Sequence, residues 1–236
     1  MTAGSAPAAR APRPSGAALR FDAAAPLTVV LVRHGETPAT ISRTFSGSGT
    51  PGPGLAPAGR VQAAQAADLV FRVGRQRWPD LPHPSSLLAS PMVRTQETAR
   101  AVGRRLGLPV QTDERFAECH FGDWEGRTSS QIDETEPEAL RRWSADPRLP
   151  APGGEALVAV GDRVAAGLED QLAAGTDRTV VIVSHAMAIR AGVGHALRLA
   201  PELWGSLRIL PASLTVLRLW PDGGRELVTL SMPSDR

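Results

Sequence analysis

The chain has 236 residues, 42% of them hydrophobic, and its 26 basic and 24 acidic residues leave a formal charge of +2. That length can bury a substantial core in one domain. No apolar run approaches the roughly 20 residues of a membrane span, and no basic stripe with interleaved aromatics points to nucleic acid. Lysine, asparagine and tyrosine are absent and Cys119 is the lone cysteine. These absences exclude a Walker or Schiff-base lysine, a tyrosine nucleophile, an internal disulfide and a cysteine-cluster zinc site.

Residues 1–26 are rich in Ala, Pro, Gly and Arg and lack the apolar core of a secretory signal. They read as a disordered tail ahead of a single domain spanning 27–236, with a cytoplasmic location. The run Thr28-Val29-Val30-Leu31-Val32 predicts a fully buried strand that stops at Arg33-His34. A ligand crevice lies at such strand ends in open α/β sheets. There an arginine offers a planar fork of donors to an anion, beside a histidine ring nitrogen.

Residues 40–54 read as a long loop, and their formal G-x-G-x-x-G (Gly47, Gly49, Gly52) is rejected as a dinucleotide site because prolines 51 and 53 interrupt it. A helix is predicted from Pro57 to about Val73. Ser86 to Ala89 predicts a second strand, followed by Ser90 as N-cap, Pro91 at the first helical position, and a helix to Leu106 stopped by Gly107. Arg94 then falls in the first turn of that helix, where backbone N–H groups favour an anion. A third strand is expected over 109–112, two short helices over 128–146, a break over 147–154 and a helix over 155–174. Residues 128–154 are expected to cover part of the site. Arg178 to Ser184 repeats the opening design, an apolar strand running into His185, and a helix over 186–198 follows. The runs 214–220 and 226–231, joined by Pro221-Asp222-Gly223-Gly224, predict a hairpin. Strands alternating with helices argue an α/β fold: a mostly parallel sheet, helices on both faces, antiparallel strands added late.

Arg33-His34, Arg94 and His185 all follow apolar strands, and Glu118 lies in the aromatic and glycine-rich stretch Glu118-Cys119-His120-Phe121-Gly122-Asp123-Trp124-Glu125-Gly126. Together with Pro152-Gly153-Gly154-Glu155 and Val183-Ser184-His185, these motifs resemble the phosphoglycerate mutase-like branch of the histidine phosphatase superfamily, over about Leu27 to Arg236. The resemblance implies a three-layer α/β/α sandwich. It also implies His34 as the nucleophile that takes the phosphoryl group, Arg33, Arg94 and His185 as holders of its oxygens, and Glu118 as the acid that protonates the leaving alcohol. No metal or cofactor is implied. The partner is a small phosphate ester, and a homodimer is a reasonable assembly. Two arginines suit phosphoryl transfer, which is mostly positioning and charge stabilisation, and they keep the histidine neutral.

Three positions depart from the family pattern. Thr40 stands where asparagine is common, Thr44 rather than arginine precedes Phe45-Ser46-Gly47, and Ala186-Met187-Ala188 follows the second histidine where glycines are usual. Thr40, Arg43, Phe45 and Ser46 are the candidates for the substrate rim, because their loop follows the nucleophile. The Phe121 to Gly126 motif resembles phosphatase members more than mutases, so a metal-independent phosphomonoesterase is the first expectation. A cofactor-dependent mutase and a non-catalytic phosphate-binding module are the alternatives.

Overall fold

A computed structural model describes residues 24–234. The tail expected over 1–26 therefore lies almost wholly outside the described residues. Its last part does not: the Trp220 indole donates to the Ala24 carbonyl and the Asp177 amide to that of Pro26.

In chain order the elements are β1 (Leu27–Arg33), α1 (Pro38–Ser42), α2 (Pro57–Arg72), β2 (Pro84–Ala89), α3 (Val93–Leu106), β3 (Val110–Thr112), α4 (Ser129–Thr135), α5 (Pro137–Ala145), α6 (Leu157–Ala173), β4 (Arg178–Ser184), α7 (Ala186–Ala196), β5 (Leu214–Leu219) and β6 (Arg225–Met232). The strands form one sheet in the order β3-β2-β4-β1-β5-β6. The first four are mutually parallel, and β5 runs antiparallel to both β1 and β6. The expected α/β class, late antiparallel hairpin and helices on both faces are all present.

Alternation along the strands explains the layers. Val29 and Leu31 pack on one face with Val160, Val164 and Leu168 of α6 and Ile189 of α7. Val30 and Val32 pack on the other with Ala66 and Val70 of α2 and Ala99 and Val102 of α3. A strand covered on both sides has no polar face, which is why β1 and β4 read as unbroken apolar runs.

Two local expectations need correction. Residues 40–42 are not loop, because Thr37 caps a short helix in a reciprocal box with Thr40 and Pro38 fills its first turn. Nor does Ser90 cap α3, which begins at Val93 after an extended Met92. Arg94 is still in its first turn, and Gly107 ends it at φ 72 as expected.

Candidate active site

The register of the three central strands assembles the site. Arg33 of β1 lies opposite Ser184 of β4, and Ala89 of β2 opposite Val183. His34, His185 and Ser90 are therefore each the first residue beyond one of three adjacent, parallel strands. The His34 and Ser90 amides donate to the Ser184 and Val183 carbonyls, which locks these strand ends together. The rings of His34 and His185 meet edge to face with centroids 5.2 Å apart.

His34 is buried, 5% exposed, and its Nδ1 lies 2.7 Å from the Gly35 carbonyl oxygen. A carbonyl only accepts, so Nδ1 carries the proton and Nε2 keeps its lone pair. Burial, and then the charges of Arg94 and Arg33, hold the His34 pKa well below the ordinary histidine value, against a smaller opposing effect of the Gly35 hydrogen bond. His185 is lowered in the same way by burial, Arg94, His34 and Arg33.

Arg94 is 1% exposed, not a solvated helix arginine. Its Nε donates to His185 Nδ1 at 3.2 Å, and its Nη2 to the Ser46 and Gly47 carbonyls at 3.0 and 3.1 Å. Nη1 is buried without an acceptor. Arg33 donates through Nη1 to the Ile209 carbonyl at 2.7 Å, and its Nε is likewise buried and unpaired. These two N–H groups face protein rather than open space, and leaving them without an acceptor is costly. Both guanidinium groups also line the cavity that His34 lines, where a fork of donors suits an anion.

Glu118, 6% exposed, reaches the start of α7 from the opposite side. Its Oε1 accepts from the Cys119, Met187 and Ala188 amides at 3.0, 3.2 and 3.2 Å, and its Oε2 from Met187 at 3.3 Å. The first free amides of a helix have no intrahelical acceptor, so a carboxylate seats readily there.

A cavity of about 280 Å³ is lined by Arg33, His34, Arg94 and Glu118, together with the expected rim residues Thr40, Arg43, Phe45 and Ser46. His185 is not in its wall; it is fully buried behind, touching Arg94 and Ser90. The Thr40 hydroxyl is engaged with Thr37. Thr44, Ala186 and Met187, three of the departures from the family pattern, line the cavity, as does Phe121 of the aromatic motif; Thr37, Ala39 and Ser129 line it as well, and the sequence marked none of these three as rim residues. Of the 128–154 stretch only Ser129 reaches this wall. Trp143 instead packs edge to face on Phe45 and Trp124, which stiffens the rim from behind. His120 stays outside, 3.9 Å from Glu125.

The glycine-rich loop closes over Arg94. Besides the two carbonyls on Arg94, the Gly49 amide donates to Glu125 and the Leu55 amide to Glu97. Gly52 adopts φ +76 directly against Arg94 Nη1, where a Cβ would collide. A Cβ at Gly47 would meet the Cys119 carbonyl and Glu125, and one at Gly49 would meet His120 and Glu125, so these glycines serve close packing within the protein.

His34 and His185 thus stand beyond two neighbouring parallel strands, with Arg33 at the end of one of them and the buried Arg94 in the first turn of the helix that follows a third. Residues 29–231 match the histidine phosphatase superfamily, branch 1, and the chain belongs to that family. A bifunctional protein of Mycobacterium tuberculosis is 33% identical over 198 residues, 84% of this chain and 52% of that protein. The chain thus spans about half the length of that relative. A glucosyl-3-phosphoglycerate phosphatase of Mycolicibacterium vanbaalenii is 34% identical over 183 residues, 75% of this chain and 76% of that protein. The structure of a mycobacterial glucosyl-3-phosphoglycerate phosphatase complexed with VO3 superposes with a TM-score of 0.75 at 30% identity, covering 87% of this chain and 98% of that one.

Proposed function

We propose that the protein hydrolyses a small phosphomonoester through a phosphohistidine. The observation that carries this reading is one cavity lined together by the Arg33 and Arg94 guanidinium groups, by Glu118 and by His34, whose Nδ1 is engaged by the Gly35 carbonyl so that Nε2 is held unprotonated. His34 Nε2 attacks phosphorus as the bond to the leaving oxygen breaks, and Glu118 gives that oxygen a proton. Water then attacks the phosphohistidine, passes a proton to Glu118, and frees inorganic phosphate and His34. Arg33 and Arg94 neutralise the charge on the transferring group.

His185 contributes first by holding the Arg94 guanidinium. In the described state neither of its nitrogens is free to donate to a phosphoryl oxygen: Nδ1 accepts from Arg94, so Nε2 bears the proton and gives it to Ser90 Oγ at 2.7 Å. A proton on Nδ1 would face the Arg94 N–H, which cannot accept, so in this arrangement His185 acts by orienting Arg94.

For the alcohol portion of the ester, Arg43 is a cation in the cavity wall apart from the two that face the phosphoryl group. A carboxylate on the leaving alcohol would pair with it, and the resemblance to glucosyl-3-phosphoglycerate phosphatases favours esters of hydroxy acids. The test is phosphate release from a panel of phosphomonoesters in excess chelator, for the intact protein and His34→Ala. Release that falls at least about a thousandfold in the variant is expected. Release unchanged by His34→Ala would overturn the reading.

A further inference from the structure

On α6, away from the cavity, the Arg163 guanidinium makes five hydrogen bonds. Its Nη1 donates to the carbonyls of Arg115 and Ala117, both at 2.8 Å, and its Nη2 to that of Glu118 at 3.0 Å. Its Nε and Nη2 also form a two-pronged pair with Glu155 Oε1 and Oε2, at 2.8 and 3.0 Å. Glu155 in turn is bound into the same loop, its amide donating to the His120 carbonyl at 2.7 Å and its Oε2 accepting from the His120 amide at 3.5 Å.

Three carbonyls of one short segment that converge on one fork of donors fix the path of that segment. Only a guanidinium has enough donors, rigidly arranged, to do this while keeping a bidentate carboxylate. The segment ends at Glu118. Its carboxyl group is held at the other end by the α7 amides, so backbone and side chain are anchored to two different helices.

We propose that Arg163, counter-charged by Glu155, is a positioning residue for the proton donor, setting where the Glu118 carboxyl meets the leaving oxygen. The inference rests on the reading of Glu118 as the general acid. A carboxyl must lie within hydrogen-bond reach of the oxygen it protonates, so a small displacement of this loop weakens protonation without touching the arginines or His34. Lysine at 163 keeps a charge for Glu155 but has only three donors, too few for three carbonyls and both Glu155 oxygens at once.

The kcat/KM of glycerol phosphate, whose alkoxide needs a proton to leave, is compared with that of p-nitrophenyl phosphate, whose phenolate does not, for Arg163→Lys, Glu118→Gln and the double variant; this ratio reports the steps up to leaving-group release and not the hydrolysis of the shared phosphohistidine. Arg163→Lys should lower kcat/KM on glycerol phosphate about tenfold or more while that on p-nitrophenyl phosphate stays within about threefold. The double variant should be no slower on glycerol phosphate than Glu118→Gln alone, because two residues acting through one group are not additive. Equal losses on both esters, or multiplied losses in the double variant, would overturn the proposal and leave Arg163 a part of the scaffold only. Should Glu118→Gln itself affect both esters equally, the general-acid reading falls, and the positioning role falls with it. If Arg163→Lys does not fold, Glu155→Gln replaces it; the same ester selectivity is expected, at about threefold, and its absence would refute the role.

Discussion

Arg94 Nε donates to His185 Nδ1 at 3.2 Å, and this single bond sets the tautomer of the histidine. An arginine cannot accept, so the ring proton lies on Nε2 and is taken by Ser90 Oγ. Ser90→Ala should leave that buried N–H unpaired and cost about 1–3 kcal/mol of stability. The ¹⁵N resonances of His185 should report Nε2–H both in the free protein and with inorganic phosphate bound. A shift to Nδ1–H with phosphate would show that the Arg94 bond breaks on binding and overturn the orienting role.

Stability should fall in acid because of the two histidines. Both are buried and held neutral, with pKa values well below the ordinary 6.5. Above about pH 6.5 they are neutral folded and unfolded, and contribute no pH dependence. Below it the unfolded chain binds protons that the native state refuses, so each histidine removes up to about 1.4 kcal/mol per pH unit until its native form also protonates. Melting temperatures followed from pH 7.5 to 5.5 should drop, and His34→Gln should flatten the slope. An identical slope in that variant would refute the assignment.

Arg43 offers a test of substrate class. Arg43→Ala should raise KM for phosphorylated hydroxy acids by about fivefold, the roughly 1 kcal/mol upper range of one exposed charge pair, while leaving p-nitrophenyl phosphate hydrolysis within about twofold. Equal changes on both would show that Arg43 does not read the alcohol.

Gly52→Ala probes the lid of the arginine. The residue has φ +76 and lies against Arg94 Nη1. Alanine brings about 1 kcal/mol of backbone strain and pushes the loop or the guanidinium aside. Affinity for inorganic phosphate, measured by calorimetry, should fall several-fold. Wild-type affinity would place Nη1 outside the anion site.

The amino-acid order alone determined the class of fold and named most of the charged residues that line the candidate cavity. Strands buried on both faces leave unbroken apolar runs, and such runs ending in Arg33-His34, before Arg94, and in His185 mark their own strand ends. Local signals of that kind survive without knowledge of neighbours. Start positions of the helices were less legible: Thr37 caps through Thr40, a partner less familiar than a glutamate, and the Ser90 hydroxyl is claimed by a histidine 95 positions away.

Tertiary structure decided what each polar group faces. Strand order puts β4 between β2 and β1, which brings Ser90, His185 and His34 side by side. Packing of α6 under the Glu118 loop makes Arg163 its clamp, although nothing in the periodicity of that helix separates Arg163 from a solvated arginine. Hydrogen-bond partners, tautomers and depressed pKa values depend on distances of a few ångströms between residues far apart in the chain. Sequence carries the side chains to the strand ends, and only the folded sheet fixes which of them meet.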